Sequence, residues 1–146
     1  MDRENRFIDR LKKNKLRVTE ARKAVFQILS ESEKSLSVQS VFSKIQKASG
    51  IKTDRVSVYR NLSLFSQLGL VHRFQDGKYS LCRHEHHDGH DHLHVIATCN
   101  DCGNTFEVDS HNEAMCEAVN KLTGLMGSMK SFSGLPFQGT CKDCKH

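Results

Sequence analysis

The sequence predicts an α+β protein, with an N-terminal winged helix-turn-helix followed by a small C-terminal α/β domain. Three observations predict it. Residues 1–70 carry apolar side chains at helical spacing, and an Asp-Gly turn then joins two short β-prone runs. The charge is divided. Residues 1–83 hold 18 Lys and Arg against 8 Asp and Glu, whereas residues 84–146 hold 4 against 9. Finally, two cysteine doublets, Cys99-x-x-Cys102 and Cys141-x-x-Cys144, both fall in the acidic part. The predicted domains are therefore 1–83 and 84–146, a length of 146 residues being enough for two small units.

Four helices are expected in the basic part. The first carries Phe7, Ile8 and Leu11 among basic residues. Thr19 is the expected N-cap of the second, with Ala21, Val25, Ile28 and Leu29 on one face. Ser37 caps the third, whose Val38, Val41, Phe42 and Ile45 follow the i, i+3, i+4, i+7 pattern. The fourth starts near Asp54 and ends at Gly69, with Val58, Leu62 and Phe65 facing inward. Its other side presents Arg55, Ser57, Arg60, Asn61 and Ser63, with Tyr59 at the boundary. Short polar side chains around an Arg and a Tyr suit a base-reading face, and the surrounding Lys and Arg suit phosphates.

A hairpin follows, with Val71–Phe74 and Lys78–Leu81 flanking Gln75, Asp76 and Gly77. Helix, helix, basic helix, hairpin is the winged-helix order, in which the last helix enters the major groove of double-stranded DNA. With a three-residue loop and Gly77 left-handed, His72 opposes Ser80, and Cys82 becomes the diagonal same-face neighbour of His72. A two-residue loop would place His72 and Cys82 on opposite faces.

The doublets point to zinc. A two-residue gap lets a tight knuckle aim both sulfurs at one point, and two knuckles close a tetrahedron around Zn²⁺ with no open position. Gly103 after the first doublet suits such a turn. A short acidic unit with a small core also gains folding energy from a bound metal. Residues 84–94 hold six imidazoles, of which His92 and His94 stand at the head of a β-prone run; His84, His86, His87 and His90 read as a solvated loop.

Several classes are excluded by composition. No stretch approaches the roughly 18 consecutive apolar residues of a membrane span. The charged N-terminus does not resemble a signal peptide, which predicts a cytoplasmic protein with reduced thiols. A zinc hydrolase needs an open metal position and a general base, and neither H-E-x-x-H nor H-x-H-x-D-H occurs. No enzyme activity and no small-molecule substrate are therefore expected. A histidine-rich zinc buffer is a further alternative, which would leave Tyr59 and Arg60 on a capped helix unexplained.

The segments Arg17-Val18-Thr19-x-x-Arg22, Ser57-Val58-Tyr59-Arg60-Asn61-Leu62 and Leu68-Gly69-Leu70-Val71, followed by the two doublets, resemble the ferric uptake regulator family over nearly the whole chain. The resemblance implies a homodimeric, metal-responsive repressor with a C-terminal dimerisation domain, acting on AT-rich inverted repeats. It implies that Tyr59 and Arg60 contact bases, with Ser57 and Asn61 beside them, and that Arg17 enters the minor groove. It also implies that Cys99, Cys102, Cys141 and Cys144 hold a structural Zn²⁺.

Iron and peroxide sensors of that family place a carboxylate just after the wing, where this chain has Cys82. A thiolate favours Zn²⁺ over Fe²⁺ or Mn²⁺. His72, Cys82, His92 and Glu107 resemble the sensing site of the zinc uptake regulators, so the expected function is repression of zinc uptake genes, and the three-residue hairpin loop, which puts His72 and Cys82 on one face, is the one predicted. An iron- or peroxide-responsive regulator is the alternative. Two departures stand out: His94 lies five residues before Cys99 where the family commonly has a three-residue spacing, and residues 124–140 contain no His. A third site would draw on His94, His111 and Glu113. His111 reads equally as the start of a helix over 113–122, in which Met115 and Cys116 pack. In the expected mechanism, one Zn²⁺ on ligands from both halves fixes the angle between them and so the spacing of the recognition helices.

Overall fold

The computed structural model describes residues 2–48, 50–74, 76–83, 95–108, 114, 117–118, 121, 124–125 and 135–145. The chain divides into two compact units, Met1–Cys82 and Arg83–His146.

The first unit contains α1 (Arg3–Lys13), α2 (Glu20–Ser30), α3 (Val38–Ala48), α4 (Arg55–Gln67), β1 (Val71–Arg73) and β2 (Tyr79–Leu81). Side chains mark the helix starts. The Thr19 hydroxyl accepts from the Arg22 N–H, the Ser37 hydroxyl from the Ser40 N–H at 3.1 Å, and the Asp54 carboxylate from the Ser57 N–H at 2.7 Å. Each satisfies an amide that the first helical turn leaves without a partner. The Asp54 carboxyl is held below the usual carboxylate range, first by that Ser57 amide.

Both α1 and α4 end in a Schellman turn. After α4, Gly69 at φ +70 donates to the Ser66 carbonyl, and Leu70 donates to that of Phe65. After α1 the left-handed residue is Lys15, at φ +58, with Lys15 donating to Lys12 and Leu16 to Leu11. A side chain in this conformation costs about 1–2 kcal/mol that glycine avoids.

The core of this unit is made of Phe7, Leu11, Val25, Leu29, Val41, Ile45, Val58, Leu62, Phe65 and Tyr79, all fully buried. Phe7 stacks on Phe26 with ring centroids 4.3 Å apart and meets Phe65 edge-on at 5.2 Å. The buried face of α2 is therefore wider than its helical spacing indicates. Ala24, Val25, Phe26 and Leu29 fill it, while Ala21 and Ile28 are half-buried at its edges. Phe26 is drawn inward because α1 packs against α2 and supplies Phe7.

In the second unit, β3 (Val95–Cys99), β4 (Thr105–Val108) and β5 (Leu135–Gly139) form a sheet in the order β4-β3-β5. β3 runs antiparallel to β4 and parallel to β5. The 124–139 segment is poorly specified by its sequence, yet it supplies a strand. Pro136 is compatible with that strand because, among the described residues, β5 lies at the sheet edge, where an N–H can be dispensed with. Phe106 and Phe137 flank Ala97 on one face and are 42% and 51% exposed. Ala114, Glu117, Ala118, Lys121, Gly124 and Leu125 are helical, and the Lys121 ammonium lies 3.2 Å from the Glu117 carboxylate. None of the helices among the described residues is long and apolar enough to cross a membrane.

Candidate metal centre and nucleic-acid interface

Among the described residues, one group of side chains converges closely enough to hold a metal ion. It consists of Cys99, Cys102, Cys141 and Cys144, whose sulfurs all lie within 4.8 Å of one another. The topology explains the convergence. The parallel register sets Cys99 beside Gly139, so the segments leaving β3 and β5 emerge side by side. The Asn100 N–H donates to the Gly139 carbonyl at 2.8 Å, joining the two exits.

Each exit then turns tightly. Gly103, at φ +74, donates to the Cys99 carbonyl at 2.9 Å, and Cys144 donates to Cys141 at 3.1 Å. The Cys141 N–H points at the Cys99 sulfur, 3.3 Å away. Backbone amides, first that of Cys102 and then that of Cys141, bring the Cys99 thiol down to about 6. The Cys144 thiol is pushed up to about 12, chiefly by the Cys141 side chain. Four thiolates this close repel one another unless a cation neutralises them.

The donor set fits Zn²⁺. A Zn–S bond of about 2.3 Å in a tetrahedron separates sulfurs by about 3.8 Å. The Cys102 and Cys141 sulfurs lie 3.9 Å apart. Four protein ligands leave no position for a substrate, so this arrangement supplies cross-linking and not catalysis.

The hairpin has the expected long loop. Val71 faces Leu81, His72 faces Ser80 and Arg73 faces Tyr79, with Gly77 at φ +78. The Cys82 N–H donates to the Leu70 carbonyl at 2.9 Å and carries the ladder one step further. His72 and Cys82 therefore occupy diagonal positions on one face. His72 is buried and Cys82 half-buried. Glu107 is in β4, opposite Ile96. His92, His94, His111 and Glu113 lie outside the described residues, as do His84, His86, His87, His90, Met115 and Cys116.

On α4, burial of Val58, Leu62 and Phe65 turns Arg55, Tyr59 and Arg60 outward, with Ser57 and Asn61 half-buried. Arg17 is exposed. The Arg22 guanidinium joins the two elements: Nη1 donates to the Arg17 carbonyl, and Nε to Asn61 Oδ1 at 3.4 Å. A shallow groove between α2 and α4 is lined by Thr19, Arg22, Lys52, Asp54, Ser57 and Arg60. The contact of Arg22 with Asn61 is not evident from spacing, because it depends on how α2 packs against α4. Val56, 58% exposed in the first turn of α4, is a further exposed residue beside Tyr59 and Arg60.

A basic winged helix joined to a unit with a closed thiolate metal site defines a metal-dependent DNA-binding protein. The family model for the Ferric uptake regulator family matches residues 13–125, and the chain belongs to that family. It is a metal-responsive transcription regulator that acts on DNA as a dimer, and not an enzyme. Among curated relatives, the ferric uptake regulation protein of Bacillus subtilis is 31% identical over 151 residues, covering 97% of this chain and 95% of its own. That of Neisseria meningitidis is 29% identical over 143 residues, covering 94% and 92%. Among solved structures, a zinc uptake regulator complexed with zinc and DNA superposes with a TM-score of 0.77 at 21% identity, over 96% of this chain and 91% of that one. The Helicobacter pylori ferric uptake regulator superposes at 0.59 and 22% identity, over 97% and 91%.

Proposed function

We propose that this regulator is a zinc-responsive repressor that binds an AT-rich inverted-repeat operator as a homodimer in the cytoplasm and controls zinc uptake genes. The observation that carries the metal assignment is the hairpin register, which sets a buried imidazole and a thiol, His72 and Cys82, on one face. A site with a thiolate ligand favours Zn²⁺ over Fe²⁺ and Mn²⁺. The sensing ligands in this reading are His72, Cys82, His92 and Glu107. The structural Zn²⁺ is held by Cys99, Cys102, Cys141 and Cys144. A third site would draw on His94, His111 and Glu113.

Residues 1–83 form the DNA-binding domain, in which Tyr59, Arg60, Ser57 and Asn61 meet bases and Arg17 enters the minor groove. Residues 84–146 form the dimerisation domain; the exposed Phe106 and Phe137 on one sheet face supply apolar surface for a second copy. Zinc can shift the protein toward its DNA-competent form only through a higher affinity for that form.

The curated relatives are named as ferric uptake regulators, which supports an iron-responsive second reading. Titration of DNA binding with Zn²⁺, Fe²⁺ and Mn²⁺ separates the two. Activation by Zn²⁺ at the lowest free concentration is expected, and activation by Fe²⁺ with indifference to Zn²⁺ overturns the zinc assignment.

A further inference from the structure

We propose that Val56 is a specificity-determining residue that reads the 5-methyl group of a thymine in the major groove. The inference rests on α4 being the recognition helix. Among the described residues of the N-terminal unit, the two large apolar side chains left exposed are Val56 and Tyr59, at 58% and 46%. Both stand on α4, three residues apart, and Arg60 is the i+4 neighbour of Val56. Residues at i, i+3 and i+4 share one helix face, with Cβ atoms about 5–6 Å apart. The result is an apolar patch beside a guanidinium on an otherwise polar surface.

Local stability does not account for this valine. A β-branched residue is a weaker helix former than alanine, and the Val56 side chain is more than half exposed. Its position does suit recognition. Val56 is the second helical residue after the Asp54 cap, and the N-terminal residues of a recognition helix are the ones that reach base edges. The apolar feature of the major groove is the thymine methyl, while Arg pairs with guanine O6 and N7. Val56 and Arg60 thus offer two different readouts on one face.

The test uses the zinc-loaded full chain and a duplex that it enriches from a random pool. Each thymine of that duplex is replaced in turn by deoxyuridine, which removes the methyl and keeps the pairing. For the wild type, one position per half-site is expected to weaken binding by about 4-fold, the value of burying one methyl-sized group. Val56→Ala, which is compatible with the helix, should weaken the thymine duplex to a similar degree and abolish the thymine preference at that position. A wild type indifferent to every uracil overturns the proposal, and so does a Val56→Ala variant that keeps the full penalty. Arg60→Ala is the control for the underlying reading. If that variant enriches the same sequence with equal selectivity, the assignment of α4 itself fails.

Discussion

His72 lies directly opposite Ser80 across the hairpin, and the ladder continues to a Cys82–Leu70 hydrogen bond of 2.9 Å. This register depends on the three-residue loop at 75–77. Shortening the loop by one residue would reverse the face of every following side chain. Cys82→Ser removes the soft donor and leaves the backbone ladder intact. We expect this variant to fold and dimerise normally, while the Zn²⁺ concentration needed for operator binding rises by 10-fold or more, on the order of the loss for an altered metal ligand shell. Anisotropy titration at buffered zinc measures this. An unchanged zinc midpoint would remove Cys82 from the sensing set.

Cys141→Ser breaks the thiolate cluster at the sulfur 3.9 Å from Cys102. We expect one equivalent of zinc to be lost per chain. The unfolding temperature should fall by more than about 10 °C, because structural zinc contributes directly to folding. Acid should act in the same direction, since protons compete with zinc for the thiolates. Metal analysis with calorimetry checks both effects, and full zinc content in the variant would contradict the site.

Lys15 occupies a left-handed position, φ +58, at the end of α1. Lys15→Gly should raise stability by about 1 kcal/mol, seen as a higher urea midpoint. A lower midpoint would mean that the strain is offset by contacts of the lysine side chain.

Arg22 bonds both the Arg17 carbonyl and Asn61 Oδ1. Arg22→Gln should therefore lower the preference for operator over scrambled DNA by about 10-fold, comparable to losing one base contact. A positioning role predicts that the salt dependence stays the same. A direct phosphate contact would instead reduce the slope by about one per protomer. Filter binding across a salt series distinguishes the two.

The sequence by itself determined the features that depend on near neighbours. Thr19, Ser37 and Asp54 cap helices within three residues, and Gly69 and Gly77 supply left-handed turns where no side chain has to be accommodated. The hairpin register follows from loop length, which the Asp-Gly turn by itself leaves at two or three residues; the observed pairing of His72 with Ser80 selects three and so puts His72 and Cys82 on one face. Each cysteine doublet is legible too, because a knuckle is a local turn. That the doublets meet was decided by the tertiary structure. Cys99 and Cys141 are 42 residues apart, and only the parallel pairing of β3 with β5 brings their exits together. The same holds for Phe26, buried because Phe7 arrives from α1, and for Arg22, whose bond to Asn61 spans 39 residues. Helical spacing marks which side of an element is apolar. It does not say which distant element packs there, and that contact decides which side chains are enclosed and which are left exposed.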